Sequence, residues 1–398
     1  MENKNRVIFF VESYFNKRDY DRFGMETLIN NGFDVEVWDF TPALSLGAYR
    51  NVMPPDPIEW SGYRLFKTKK EVIAAILSLW KTCVVVSLVS YSFDSLPIYR
   101  ALSKKKIFYC AQGFALPISG LSPSRRLRKR ITSFTMKRLF LRIFYMIPFR
   151  MLGVRPANLN LANAEKFLLV GAPVNATSKI LWLHNFDYDL FLKGKSVVSS
   201  LRYKARAIFL DQYLPFHPDG IRLGMKLVLD SEEYYKTLCR FFDHLEKKFG
   251  EKVVIAAHPR SHYEKMPGIF GERQIVRGKT MELVKEAEVV IAHNSIAINY
   301  AVLFKRPLVF ITSNKITDSY NKGLFEEPSI AWLASFFVKT AHNIDYPPAV
   351  DLAKELVINE AAYAKYKNYY IKKDGSEELP YWQIFANYIK FNRPCEGL

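Results

Sequence analysis

From Ser95 to Ala164 the chain has not one Asp or Glu. Over the same stretch Arg100, Lys104, Lys105, Lys106, Arg125, Arg126, Arg128, Lys129, Arg130, Lys137, Arg138, Arg142, Arg150 and Arg155 supply fourteen positive charges. One region therefore carries most of the net charge of +18, and the rest of the 398 residues is close to neutral. Cysteine is scarce too. Cys83, Cys110, Cys239 and Cys395 fall into no CxxC or Cys/His spacing, which argues against a metal module, and a reduced, cytosolic setting is expected. Cys83 and Cys110 fall in apolar strands, where a thiol acts as a small hydrophobe. Long apolar runs are missing as well. The longest uncharged stretch, Ile107–Ser124, is broken by Gln112, Gly113, Pro117, Gly120 and Pro123, so no transmembrane helix is expected. The apolar run in the opening MENKNRVIFFVES is too short for a signal peptide. There is no GxxxxGK[ST] and no GxGxxG after the first strand, which argues against a P-loop protein or a Rossmann oxidoreductase. GxSxG and HExxH are also absent.

What is present is a folded, apolar chain. An apolar content of 49% with 30 Phe and 23 Tyr excludes a mainly disordered protein. The length suggests two domains. Short apolar runs alternate with helical patterns, the signature of doubly wound parallel sheets. In the first half, strands are expected at Val7–Val11, Phe33–Trp38, Cys83–Val89, Ile107–Ala111, Lys166–Val170 and Lys179–His184. Helices are expected at Arg18–Asn30, Lys70–Trp80 and Ser95–Ser103. Asp187–Arg206 loses the pattern and reads as a hinge. The second half has strands Ala207–Leu210, Val253–Ala257, Val289–Ala292 and Leu308–Thr312. Its helices are Ser231–Phe249, capped by Ser231 and stopped by Gly250, then Thr280–Ala287 and Ser295–Phe304. Ala349–Phe391 reads as helical. The expected division is an N-terminal domain over 1–190, a linker over 191–206, a C-terminal domain over 207–345 and a helical segment over 346–398 that crosses back to the first domain.

Parallel sheets bind ligands beyond the carboxyl ends of their strands, which is where the candidate residues fall. His258-Pro259-Arg260 closes one strand. The histidine can offer an N–H to a phosphate and the arginine a charge-assisted contact; the alternative is a histidine simply hydrogen-bonded at a strand end. His293-Asn294-Ser295 closes another, with Asn294 or Ser295 capping the next helix and aiming its dipole at an anion; the alternative is an ordinary N-cap. Asp211 ends a strand and Asp219-Gly220 sits in a turn. Either carboxylate would serve as general base on a hydroxyl, and Pro-Asp-Gly is equally a turn sequence. In the first half Glu12, Arg18 and Asp19, with Gln112 and Gly113 after a later strand, are candidates for acceptor contacts, and capping or ion pairing explains them as well. Two DxD triplets, Asp19-Tyr20-Asp21 and Asp187-Tyr188-Asp189, close no buried strand, so no metal site is expected.

The His-Pro pair at His258-Pro259, the Ser-bearing helix start at Ser295 and the upstream acidic-Gly pair at Asp219-Gly220 resemble, in kind and order, bacterial GT-B glycosyltransferases that use CMP-sugars, the sialyltransferases and Kdo transferases. The resemblance in order runs from about Ala207 to Thr312. It implies a GT-B-like α/β fold, with two Rossmann-like doubly wound domains facing across a cleft. It also implies a metal-independent transfer in which His258 and Ser295 bind the departing CMP phosphate and Asp219 is the general base. Two departures stand out: the first acid of the acidic pair is replaced by Pro218, and a single Ser295 after Asn294 stands where the family has two hydroxyl residues. No cofactor is implied beyond the nucleotide-sugar, a co-substrate. The acceptor is expected to be a glycan or a lipid-linked glycan.

The basic region, about 121–155, supplies the last expectation. Within Ser124–Phe149, Leu127, Ile131 and Phe134 form an apolar face against five basic residues. Such a segment suits an anionic membrane surface, over 124–150, and a peripheral place on the inner face of the cytoplasmic membrane. A helix packed on its own domain is the alternative. Nucleic acid is a poorer fit, because no recognised module is present and the basic residues are interleaved with aliphatics. A sugar-nucleotide epimerase of the same shape, needing no acceptor, is a further alternative.

Overall fold

The computed structural model describes residues 6–44, 58–115, 149–168, 173, 178–195, 206–217, 229–321, 329–346 and 350–392. The chain divides into two compact units. The first holds the described residues of Met1–Leu116, Ser133–Phe186 and Lys372–Leu398, and the second those of Asp187–Ile371. Asp219, Gly220 and nearly all of the basic segment 124–150 lie outside the described residues.

The first unit is built on strands β1 (Arg6–Val11), β2 (Asp34–Asp39), β3 (Tyr63–Leu65), β4 (Val84–Ser87), β5 (Phe108–Ala115), β6 (Leu159–Ala162), β7 (Phe167–Leu168) and β8 (Lys179–Trp182). Their order is β3-β2-β1-β4-β5-β6-β8, all parallel, with β7 antiparallel on β5. The central strands are apolar all along because helices cover both faces. Val7, Phe9 and Val11 pack with the helix Met25–Asn30 and the C-terminal helix Tyr381–Asn392, while Ile8 and Phe10 pack with the helices Lys69–Ser78 and Leu96–Lys105.

The second unit repeats the plan with β9 (Ala207–Leu210), β10 (Val254–Ala257), β11 (Ile275–Arg277), β12 (Val289–Ala292), β13 (Leu308–Thr312) and β14 (Ala341–Asn343). The order β11-β10-β9-β12-β13-β14 is fully parallel. In both sheets the first strand of the unit sits inside, the next two lie on one side and the later ones on the other. That is the doubly wound order with a switch point beside the first strand. The long helix Ser231–Phe249 buries Tyr234, Leu238, Phe241, Phe242 and Leu245 at helical spacing against this sheet. Burying each such side chain contributes roughly 1.5–3 kcal/mol.

Several elements differ from the sequence expectation. The cap of that long helix is Asp230, whose side chain accepts the N–H of Glu233 at 2.9 Å, and not Ser231. The hinge expected at Asp187–Arg206 begins instead as the helix Phe186–Gly194. The strand expected at Lys166–Val170 is only the short β7 where it is described, and β6 is the sheet strand of that region. The single helix expected over Arg18–Asn30 is two, Lys17–Arg22 and Met25–Asn30, broken at Gly24.

Gly24 has a physical reason. Its φ is +58°, and a Cβ there would lie 2.4 Å from Cδ1 of Trp382, whose indole N–H donates to the Arg22 carbonyl at 2.9 Å. The left-handed backbone and the absent side chain together let the C-terminal helix dock. Gly24→Ala is therefore expected to destabilise the first unit by about 2–4 kcal/mol, from overpacking and left-handed strain. Denaturant unfolding followed by Trp fluorescence checks this; a change within about 0.5 kcal/mol, the usual spread of neutral surface changes, would refute the docking account.

Candidate active site

At the carboxyl edge of the second sheet, the residue after β9 is Asp211. It is 4% exposed. Its Oδ1 accepts the N–H of Tyr213 at 2.9 Å, and its Oδ2 accepts the hydroxyl of Tyr263 at 2.7 Å and the N–H of His258 at 3.3 Å. Burial raises its pKa, and these donors oppose the rise. A carboxylate so enclosed positions its neighbours, and it offers no face to an acceptor hydroxyl. This corrects the reading of Asp211 as a general base.

His258, directly after β10, is half-buried. Its Nδ1 accepts the N–H of Arg260 at 3.2 Å, so Nε2 carries the proton in the neutral ring. Its carbonyl is held by the N–H of Ser261 at 2.9 Å and the Ser261 hydroxyl at 2.8 Å. Pro259 and Arg260 are exposed. The imidazole of His217, which sequence reading passed over, lies with its centroid 5.2 Å from that of His258. Its place in the sequence directly before Pro218-Asp219-Gly220 is a signal that could have found it.

His293 meets a different fate. It is 0% exposed, with Nδ1 donating to the carbonyl of Ile311 at 2.7 Å and Nε2 accepting the hydroxyl of Tyr234 at 2.9 Å. Both ring nitrogens are used, and burial lowers its pKa to about 4. It is a core histidine, and the expectation that it binds phosphate is corrected. The expected cap is corrected too. The helix after β12 is Ile298–Leu303, with Ala297 at its N-cap and no side-chain cap bond. Ser295 instead accepts the N–H of Ala297 at 3.2 Å in the preceding turn, and the N–H of Asn294 donates to Gln212 at 3.2 Å, tying the ends of β9 and β12.

Farther along the same edge a cavity of about 240 Å³ opens between the start of the long helix and the ends of β13 and β14. Tyr234, Arg240, Ser313, Asn314, Lys315 and Asp345 line it, none of them singled out by the sequence. Lys315 is paired with Glu233, and the N–H of Asn314 donates to Asp345 at 2.7 Å.

In the first unit a pocket of about 180 Å³ lies at the ends of β1, β4 and β5. Of the candidates, Glu12 and Gln112 line it; Arg18, Asp19 and Gly113 do not. Asn16 caps the helix that holds Arg18 and Asp19 by accepting the Asp19 N–H at 3.0 Å, and Arg22, one turn on, lines the pocket. The carboxyl of Asp187 accepts from Asn299 at 2.9 Å and from Tyr300 at 3.2 Å, so it is a structural group of the second unit.

No protein-family model matches the chain, and no curated protein matches it. Solved structures do. The H444N variant of the wall teichoic acid polymerase TagF is similar at 15% identity with a TM-score of 0.50, covering 98% of this chain and 89% of that one. The UDP-GlcNAc 2-epimerase of Methanocaldococcus jannaschii is similar at 10% identity and a TM-score of 0.45, over 98% and 99%. MurG of Acinetobacter baumannii is similar at 11% and 0.45, over 98% and 99%. The expected fold class holds: the chain is a GT-B-like protein of two Rossmann-like units.

The buried His293 sets a pH dependence. Its folded pKa of about 4 lies below the ordinary 6.5, so its stabilising contribution is complete above pH 6.5 and is lost as pH falls toward 4. About 3 kcal/mol should disappear across that window. Stability against pH, measured on the wild type and His293→Gln, is expected to show this slope only in the wild type; equal slopes would refute the assignment.

Proposed function

We propose that the protein is a glycosyltransferase of surface-polymer assembly that takes a sugar from a nucleotide-sugar, with a CMP-linked acidic sugar the first donor to try. The observation that supports this best is His258. Its backbone is anchored on Asp211 and its tautomer is set by the N–H of Arg260, so an imidazole N–H is preorganised at the carboxyl end of a parallel strand. A donor placed in advance stabilises charge as it develops on a departing phosphate. Arg260, exposed beside it, adds a charge-assisted contact. The likeness to a wall teichoic acid polymerase, whose name describes the building of a surface polymer, agrees with this reading.

In the proposed reaction the acceptor hydroxyl oxygen attacks the anomeric carbon and the carbon–phosphate-oxygen bond breaks. The nucleotide leaves with the electron pair, and the hydroxyl proton passes to a carboxylate. Asp219 holds that role by motif order. His258 and Arg260 meet the leaving charge, so a divalent metal is not required by this scheme. The acceptor is a glycan or a lipid-linked glycan. The basic segment 124–150 would rest on the anionic inner face of the cytoplasmic membrane, where such acceptors are built. Among the described residues no helix is long and apolar enough to cross a membrane.

A thermal-shift series with CMP, CDP, UMP, UDP and GDP tests the reading, because a ligand of the native state raises the melting temperature. One nucleotide is expected to stabilise the wild type. His258→Ala should weaken that binding roughly tenfold or more, the loss of one hydrogen bond to a charged group. Stabilisation by UDP or GDP alone would exclude the CMP donor, and no response to any nucleotide would overturn the transferase.

A further inference from the structure

The pocket of the first unit contains a polar group that its surroundings leave unmatched. Gln112 is 3% exposed and lines it. Its Nε2 donates to the hydroxyl of Tyr381 at 3.0 Å, and its Oε1 has no hydrogen-bond partner among the described residues. Half of a buried amide left unpaired is a standing penalty that folding alone does not explain. The tyrosine hydroxyl can donate or accept, so the amide can face it either way round, and the open half is a donor or an acceptor accordingly. A ligand hydroxyl, which does both, satisfies either orientation.

Glu12 adds a second hydroxyl partner. Its Oε1 accepts the N–H of Ser90 at 3.0 Å and the Ser90 hydroxyl at 2.5 Å, which fixes the carboxylate; Oε2 takes no bond among the described residues. Arg22 supplies the opposite charge, its guanidinium stacked over the ring of Phe186 at 4.4 Å. Phe23, Phe186 and Leu88 complete the wall with apolar surface. At about 180 Å³ the space is well below the roughly 300–1,000 Å³ of drug-sized sites, and it admits one ring or short polyol at a time.

We infer that this pocket seats the terminal unit of the acceptor, and that this unit is a polyol bearing one anionic group. Hydroxyls meet Gln112 and Glu12, and the carboxylate or phosphate meets Arg22. The assignment of the ligand as acceptor rests on the transferase reading; the ligand's chemistry rests on the pocket alone.

Calorimetric titration of the full chain with glucuronate, glucose 6-phosphate, glucose and inorganic phosphate separates the terms. At least one acidic sugar should bind ten times more tightly than both glucose and phosphate; glucuronate against the phosphate ester tells which acid is preferred. Arg22→Gln should reduce acidic-sugar binding to the level of glucose. Gln112→Leu should weaken it about tenfold while the melting temperature holds, and Gln112→Met replaces that variant if it does not fold. Binding of neither glucuronate nor glucose 6-phosphate more tightly than glucose, no binding of any probe, or an unchanged affinity in the Gln112 variant would overturn the inference. Nucleotide binding in the same samples keeps the two readings apart. Acidic sugars without nucleotide sink the transferase and leave this pocket standing; nucleotide without acidic sugars sinks the pocket alone.

Discussion

A carboxylate can stay buried only if donors surround it, and Asp211 imposes that condition on the whole edge of the second sheet. Its oxygens draw in the N–H of Tyr213, the N–H of His258 and the hydroxyl of Tyr263. Because Tyr263 donates to Asp211, its own oxygen is left to accept from Tyr235 on the long helix, 3.1 Å away. One side chain thus holds together the end of β9, the end of β10, the loop beyond it and a helix. Removing any donor would leave a desolvated charge short of a partner, so these segments cannot rearrange separately. The orientation of the His258 ring is a consequence: its backbone is placed by Asp211, and the turn so formed brings the Arg260 N–H onto Nδ1.

The same topology is used differently in the two units. A doubly wound sheet leaves a crevice beside its first strand, where the chain departs to opposite sides. In the second unit that point is bridged by the bond from Asn294 to Gln212, and the cavity opens farther out, at β13 and β14. In the first unit the corresponding point, between β1 and β4, remains a pocket. The bridge itself is common to both units: Glu12 accepts the N–H of Ser90, beyond β4, at 3.0 Å, as Gln212 accepts the N–H of Asn294, beyond β12, at 3.2 Å.

The inner strands were legible because parallel strands buried on both faces must be apolar throughout, as Val289–Ala292 and Leu308–Thr312 are. The edge strands β3, β11 and β14 are three residues each, YRL, IVR and AHN, none of them buried, and such short runs carry no period to mark them. β6 was hidden by Asn160, a buried amide in the middle of LNLA, where pattern reading expects an aliphatic residue. At the site, His258 and His293 look alike in sequence, each closing an apolar run. Only the fold separates them, since the groups that occupy His293 come from Tyr234 and Ile311, distant along the chain. The short helix after β12 misled for a related reason: Asn-Ser is a strong capping signal, yet here those residues form a turn and the helix starts at Ile298.

Unpartnered buried polar atoms occur in both units, as at His244, Arg306 and Glu355 in the second, but the two sheets differ in where these atoms fall. At the edge of the second sheet Asp211 and His293 are buried and fully matched from within. In the first unit the side-chain oxygens of Gln112, Asn160 and Asn163, on or just beyond the adjacent strands β5 and β6, have no partner among the described residues. An apolar residue of similar shape at such a position would serve stability as well or better. Matched buried groups explain rigidity, and the second unit uses them to hold a histidine still. Unmatched ones explain nothing about folding, so their chemistry is informative about what the first unit meets: Gln112 lines the pocket at β1, β4 and β5, and what enters there must bring its own hydrogen bonds.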